Sequence, residues 1–144
     1  GYLFSDAIFI NQGNNAGIKI GDLVTYQNKI LVGRVAEVGA DWSKAALLGR
    51  SGNKITLRQD APENIQSIPI EATGRGGGEL QMEMPADVNL KIGDIFRSAE
   101  NPEFIGGVVY KISSESGGQF KKINIVSPVS AVLLNEVNIV SKND

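Results

Sequence analysis

The chain has 144 residues, a formal net charge of −2, and 42% apolar and 21% charged residues. This length fits one domain or two small ones, and the composition is typical of a folded globular protein. Lysines and arginines are scattered along the chain, so the sequence predicts no nucleic-acid-binding surface. Histidine and cysteine are absent, which excludes disulfides, thiolate metal sites and histidine-dependent catalysis. We therefore expect no metal ion and no cofactor.

Apolar and polar residues alternate along most of the chain, and this period of two predicts β-strands. Clusters of Gly, Asn, Asp and Ser separate the strands. Short strands at this spacing favour a sandwich or barrels over a sheet covered by helices. Only residues 41–44 and 130–134 are candidates for a helical turn. In chain order, the predicted strands are residues 7–10, 23–26, 30–38, 45–48, 55–58, 65–72, 80–83, 95–97, 105–112, 123–127 and 137–140.

The motif Lys-Ile-Gly-Asp occurs twice, at residues 19–22 and 91–94, and a short apolar strand follows each copy. Gly21 and Gly93 occupy positions where a turn needs a positive φ, which glycine adopts without steric cost. Asp22 and Asp94 can accept hydrogen bonds from turn amides before the strand begins. The repeated motif therefore predicts the same turn in two places.

A longer strand with an internal glycine follows each copy of the motif in the same order. Gly33 and Gly107 lie among bulky residues, where a missing side chain permits a bend or a close backbone approach. Two such units predict an all-β fold of two small β-barrels in tandem. We place the first barrel at residues 1–72 and the second at residues 73–144, and the C-terminal strands could return to the first barrel.

Carboxylates, lysines and serines are the remaining groups that could perform chemistry. Glu79 and Glu83 face outward from an alternating strand, which is typical of a solvated surface. The Gly-rich segment 74–78 lacks the Lys-Ser/Thr of a phosphate-binding loop, so we interpret it as a hairpin turn. Trp42 either stacks on a ligand or caps the end of a barrel. Three Ser–Lys combinations lie in no motif that would activate a hydroxyl group: Ser43-Lys44, Ser51 with Lys54, and Ser141-Lys142.

Three stretches of the chain together resemble one family. Residues 8–48, IFINQGNNAGIKIGDLVTYQNKILVGRVAEVGADWSKAALL, resemble the start of the β-rich extracytoplasmic region of the rod shape-determining proteins MreC. Residues 74–96 are similar to that family's Gly-rich hairpin, Pro-x-Asp turn and Gly-Asp strand, and residues 120–140 resemble its closing strands. The likeness covers nearly the whole chain in order. Residues 97–106 depart from it, because they replace the family's Thr-Ser-Gly and Phe-Pro-x-Gly segments.

The resemblance implies two six-stranded barrels, arranged as in a chymotrypsin-like protease but without a catalytic site. It also implies a non-enzymatic scaffold of the elongation machinery (elongasome), which organises peptidoglycan synthesis and maintains rod shape. The partners expected for such a scaffold are a class-B penicillin-binding protein, MreD and further copies of the chain. The expected location is the extracytoplasmic or periplasmic face of the bacterial membrane, with an N-terminal helical anchor that is not in this chain.

Scaffolds hold partners through exposed apolar and aromatic side chains, and the second half of the chain offers four in and around the divergent segment. We predict that a partner contacts Phe104, Ile105, Tyr110 and Phe120, with the alternative that Phe104 and Phe120 plug the ends of a barrel. Two other functions stay open from the residues alone. One is a β-barrel Ser–Lys peptidase, and the other is a module that binds a small ligand or carbohydrate through Trp42 and Tyr110.

Overall fold

The protein is all-β in the computed structural model, which describes residues 6–61, 67–114, 117–130 and 136–141. Within these residues lies one complete 3-10 turn, Asn14–Ala16. The predicted turn at 41–44 is instead a bend that leads into a strand, and most of 130–134 lies outside the described residues. Eleven strands follow in chain order: β1 (Ala7–Ile10), β2 (Leu23–Tyr26), β3 (Ile30–Val38), β4 (Ser43–Leu47), β5 (Lys54–Gln59), β6 (Ile70–Gly76), β7 (Glu79–Pro85), β8 (Ile95–Ser98), β9 (Ile105–Ser114), β10 (Phe120–Val126) and β11 (Asn138–Val140).

Six of these strands form a closed antiparallel barrel. The order around it is β5, β6, β7, β10, β9 and β8, and β8 pairs again with β5. Alternation directs every second side chain inward, so Leu80, Met82 and Met84 of β7 are buried. They share a core with Leu57 and Phe96, which are both fully buried.

The other five strands form a second antiparallel unit in the order β1, β4, β3, β2 and β11. Its own core includes Val24, Val35 and Ala45. Within the described residues no strand pairs with the outer edges of β1 and β11. One closed barrel is therefore present, and the described residues do not close a second one.

A short junction joins the two units. Strands β3 and β9 run parallel and pair only through Ile30 and Ile105. The Ile105 amide also donates a hydrogen bond to the Lys29 carbonyl at 2.8 Å. An ion pair of 3.1 Å between Arg34 of β3 and Glu100 also joins the two units. The divergent segment 97–106 therefore contacts the first unit.

Strand pairing groups the chain differently from the predicted division at residues 72 and 73. That boundary falls inside β6, and β5 before it already belongs to the closed barrel. All six barrel strands lie between residues 54 and 126, whereas β11 pairs with β2 of the first unit. The barrel is thus contiguous in sequence, and the five-stranded unit is built from chain on both sides of it.

The two Lys-Ile-Gly-Asp turns have the same conformation and the same hydrogen bonds. The φ angles of Gly21 and Gly93 are 94° and 95°. In each turn the Asp carboxylate accepts a hydrogen bond of 2.9 Å from the Lys amide three residues earlier. The amides of Gly21 and Gly93 donate to the carbonyls of Val35 and Val109 at 2.8 and 2.9 Å. These observations confirm the predicted turns.

The glycines inside the following strands also occupy matching positions. Gly33 pairs with Val24, and Gly107 pairs with Phe96, in each case just before an irregularity in the pairing. A Cβ on Gly33 would overlap the Ala46 carbonyl oxygen of β4, and one on Gly107 would overlap the Ile125 side chain of β10. The close approach expected at Gly33 and Gly107 is therefore present, and in both cases the group approached belongs to the adjacent strand of the sheet.

The repeat extends to whole strands. β1 pairs with β4 as β7 pairs with β10, and β2 pairs with β3 as β8 pairs with β9. β11 then lies beside β2, and β5 lies beside β8. The strand β5 therefore comes from the first half of the chain and joins the barrel of the second half, whereas β11 comes from the second half and joins the first unit.

Candidate partner-binding surface

Phe104 is a core residue, so the prediction that it contacts a partner is wrong. Its side chain is 5% exposed and packs in the barrel core. Its amide donates to the Asn101 carbonyl at 2.9 Å, and its carbonyl accepts from the Ser98 amide at 3.0 Å. The segment before β9 turns here because these two bonds close it, and the phenyl ring is directed inward.

Ile105 lies at the junction of the two units and is half-buried. Its backbone is held by Lys29, and it pairs with Ile30. The Ile105 side chain could contact a partner only at the edge of the junction between the two units.

Tyr110 is an exposed residue of the barrel wall, with 44% of its surface accessible. The pairing of β9 with β10 skips it, because Val109 pairs with Ile125 and Lys111 with Asn124. This bulge turns the phenol toward β7, where its hydroxyl donates to Glu79 Oε1 at 2.6 Å.

Glu79 is the acceptor at the centre of this cluster. Its other carboxylate oxygen accepts a hydrogen bond from the Asn124 side-chain amide. The hydrogen bond to Glu79, then burial and the Glu79 charge, raise the pKa of Tyr110 above its ordinary value. The phenol is therefore a neutral, oriented group at physiological pH.

Phe120 opens β10 opposite Pro85, and 49% of its surface is exposed. The alternative that it plugs the barrel is therefore wrong. Asn124, which shares Glu79 with Tyr110, lies four residues further along β10 than Phe120, which is about 13 Å at ~3.3 Å per residue. The predicted residues thus lie at separate places along the barrel, and they do not form one patch.

A cavity between the units was not predicted. It has a volume of about 290 Å³ and is lined mainly by apolar side chains, among them Leu31, Leu47, Leu80 and Val126. Val126 at its rim is 37% exposed. These residues belong to strands of both units (β3, β4, β7 and β10), so no local sequence pattern could have grouped them.

The serines and lysines of the candidate dyads are directed elsewhere. Ser43 is fully buried, whereas the adjacent Lys44 forms an ion pair of 3.3 Å with Glu37. Neighbouring strand residues face opposite sides of a sheet, so these two cannot form a Ser–Lys pair. Lys54 lies near Thr73 and Glu71, and Lys142 is outside the described residues. The described residues contain no group of three or more His, Cys, Asp or Glu that could hold a metal ion.

The Gly-rich segment forms the turn between β6 and β7, as predicted. Gly76, Gly77 and Gly78 all have positive φ angles. Gly74 and Gly78 pack against the backbone of Gly49 and Arg50 with no room for a Cβ on Gly74 or Gly49. The turn therefore fits closely against the chain that leads from β4 to β5.

Trp42 lies at the surface of the first unit with its ring beside that of Phe9. It is 44% exposed, so it does not cap a core. Phe9 is more exposed still, at 76%, and the sequence analysis did not single it out. An exposed aromatic residue within a short strand carries no local signal that separates it from a core residue.

The chain is similar to known proteins in sequence pattern and in fold. A family model described as "Rod shape-determining protein MreC, barrel core" matches residues 3–141. A solved structure named "MreC" has a TM-score of 0.80 at 22% identity and covers 98% of this chain and 81% of its own. The structure of MreC from Pseudomonas aeruginosa has a TM-score of 0.78 at 22% identity, covering 94% and 88%.

A third solved structure is described as the major periplasmic domain of the cell shape-determining filament MreC. Its TM-score is 0.60 at 16% identity, and it covers 97% of this chain and 90% of its own. No curated protein matches the chain in sequence. Within the described residues no helix is both long and apolar enough to cross a membrane.

Proposed function

Because the chain belongs to the MreC family of rod shape-determining proteins, we propose that it is a non-catalytic scaffold of the cell-wall elongation machinery. In this role it would organise peptidoglycan synthases and so maintain rod shape. The observation that carries the proposal is the family match over residues 3–141, which takes in both β units.

The scaffold would work on the extracytoplasmic side of the membrane, held there by an N-terminal helix outside these 144 residues. The description of one similar structure as a periplasmic domain supports this location. The same description calls that protein a filament, which supports self-association as one of the contacts.

We further propose that the first unit belongs to a second barrel, so that the chain has the tandem two-barrel plan. The internal repeat supports this, because β1 and β11 occupy the places that β7 and β5 occupy in the closed barrel. In the closed barrel β6 lies between β5 and β7. One strand between β11 and β1 would complete the same arrangement.

The partner surface that we propose lies on the wall of the closed barrel around Tyr110, with Phe120 and Ile105 as outlying contacts. Tyr110 is exposed and oriented by Glu79, and the exposed Val126 pairs with Glu79 between β10 and β7. An oriented aromatic side chain loses little conformational freedom on binding, which suits a contact anchor. The partner would be a class-B penicillin-binding protein, MreD or another copy of the chain.

Capture of partners by the full-length, membrane-anchored protein tests this proposal. We expect it to retain a class-B penicillin-binding protein from its own cells and to restore rod shape in cells that lack it. Tyr110→Ala should weaken both effects, whereas Phe104→Leu, which keeps an apolar core side chain, should not. Capture and cell shape that are unchanged by Tyr110→Ala and by Phe120→Ala would place the contact elsewhere.

A serine-directed covalent probe tests the alternative of a Ser–Lys peptidase. A scaffold should take up no label at any serine. Stoichiometric labelling of one serine, lost when that serine is replaced by alanine, would contradict the non-catalytic proposal.

A further inference from the structure

Two exposed aromatic rings lie together on the outer face of the first unit. Phe9 of β1 and Trp42, just before β4, have ring centroids 6.4 Å apart and planes tilted by 51°. Both are exposed, and the Lys44 ammonium is 6.0 Å from the centre of the Phe9 ring. Aromatic side chains of this size are usually buried or covered, so the pair is an apolar platform in contact with solvent.

The chain holds Trp42 rigidly. The Gly39 amide donates to the Trp42 carbonyl at 2.8 Å, and the Asn14 amide donates to the Gly39 carbonyl at 2.8 Å. The indole lies against Gly39 so closely that a Cβ there would overlap it, and Gly13 has no room for a Cβ beside the same turn. Trp42 is therefore placed before any ligand arrives, which lowers the entropic cost of binding.

Polar side chains surround the rings. Lys44 and Glu37 form an exposed ion pair, and the Asn15 side-chain amide donates to the Asp41 carboxylate at 2.9 Å beside Trp42. These groups offer donors and acceptors on both sides of an apolar surface. With one cation and two carboxylates, they give no excess positive charge for a nucleic acid or an anionic lipid.

The aromatic pair is not required by the repeated fold. Phe9 pairs with Lys44 in the first unit, and the matching pair in the closed barrel is Gln81 with Asn124. A polar residue thus occupies the position of Phe9 in the other copy of the repeat. The pairing of β1 with β4 therefore does not require an aromatic side chain at position 9.

We propose that Phe9 and Trp42, with the polar groups around them, bind a neutral glycan. The faces of sugar rings carry C–H groups that stack on aromatic rings, and their edges carry hydroxyls that match flanking amide, carboxylate and ammonium groups. We favour a glycan over a protein partner because the core of a protein interface is depleted in Lys, Glu and Asp, whereas here the Lys44 ammonium lies 6.0 Å from the centre of the Phe9 ring. This platform belongs to the first unit, whereas the partner surface around Tyr110 belongs to the closed barrel. The glycan proposal therefore does not depend on the scaffold function.

Trp42 is the only tryptophan of the chain, so intrinsic fluorescence reports on this platform alone. The probe is a soluble hexasaccharide of N-acetylglucosamine, added to the 144-residue protein. We expect a saturable change in emission, with a dissociation constant below about 10 mM. An emission that stays unchanged to that concentration would overturn the proposal.

The decisive variant is Phe9→Gln, which installs the residue that the other copy of the repeat carries. It keeps the reporter, and we expect binding about tenfold weaker with the same thermal unfolding midpoint. Phe120→Ala removes an exposed aromatic residue from the other unit and should bind as the wild type does. Trp42→Ala, followed by calorimetry, should lose binding. Equal affinities of the wild type, Phe9→Gln and Trp42→Ala for the hexasaccharide would overturn the proposal.

Discussion

The phenyl ring of Phe104 is enclosed by the barrel core, so its replacement tests packing and not recognition. We expect Phe104→Ala to lower the free energy of unfolding by about 3–5 kcal/mol, because the side chain loses its burial and leaves a cavity. Phe120→Ala is the matched control on an exposed ring and should change that free energy by less than about 0.5 kcal/mol. Chemical denaturation measures both. Equal midpoints for Phe104→Ala and the wild type would show that Phe104 is not a core residue.

The pKa of Tyr110 is raised because its hydroxyl donates to Glu79, with smaller contributions from burial and from the Glu79 charge. A tyrosine whose pKa is higher in the folded than in the unfolded state stabilises the fold while it is protonated. This contribution is complete at pH values below the unfolded-state pKa and is lost as the pH rises through the folded-state pKa. For a tyrosine that window lies above pH 10.0, so the contact is intact at neutral pH.

We expect Glu79→Gln to move the pKa of Tyr110 back toward 10.0. Phenolate absorbance followed against pH measures it, and subtraction of a Tyr110→Phe titration removes the other two tyrosines. A Tyr110 pKa that is the same in Glu79→Gln and the wild type would contradict the hydrogen bond as its cause.

At the scale of single elements, the contact of β3 with β4 depends on Gly33. A side chain at this position meets the Ala46 carbonyl, which is part of the backbone of β4 and cannot rotate away. We expect Gly33→Val to cost at least about 2 kcal/mol of unfolding free energy. Ala36→Val, at an exposed position of the same strand, is the control and should be nearly neutral. If both variants unfold at the wild-type midpoint, the close approach of β3 and β4 is not real.

Local structure could be predicted from the sequence where a short-range cause determines it. The bounds of β1, β2 and β3 match their predicted ranges because alternation and turn residues act within a few positions. The turns at Gly21 and Gly93 were predictable for the same reason. The inward direction of Phe104 was not, because it depends on how residues 97–106 close before β9, a conformation that no local motif specifies.

The position of β5 shows the limit for tertiary structure. Residues 54–59 read as one more strand of the first half, yet they pair with β6 and β8. Pairing between strands distant in sequence depends on the fit of whole faces, which a window of a few residues does not contain. The contact of Tyr110 and Asn124 with Glu79 was missed for the same reason, since three strands must meet to form it.

At the scale of the whole molecule, the exchange of β5 and β11 makes the two halves of the sequence dependent on each other. The fragment 73–144 lacks β5 and the first residues of β6, so its barrel cannot close and the edge of β8 loses its partner. The fragment 1–72 contains β5 but lacks the barrel strands that bury Leu57 of β5 in the whole chain. It also lacks β11. Neither fragment therefore retains a complete unit.

A different cut respects the strand pairing. The fragment 48–128 contains all six strands of the closed barrel, with their connections, as one continuous piece. We expect this fragment to unfold cooperatively in urea, with a lower midpoint than the whole chain, because it loses core contacts with Leu23 and Leu31. The fragment 73–144, of similar length, is the control and should show no cooperative transition. A cooperative transition for 73–144 and none for 48–128 would mean that the chain divides near residue 72 after all and that β5 is not a strand of the barrel.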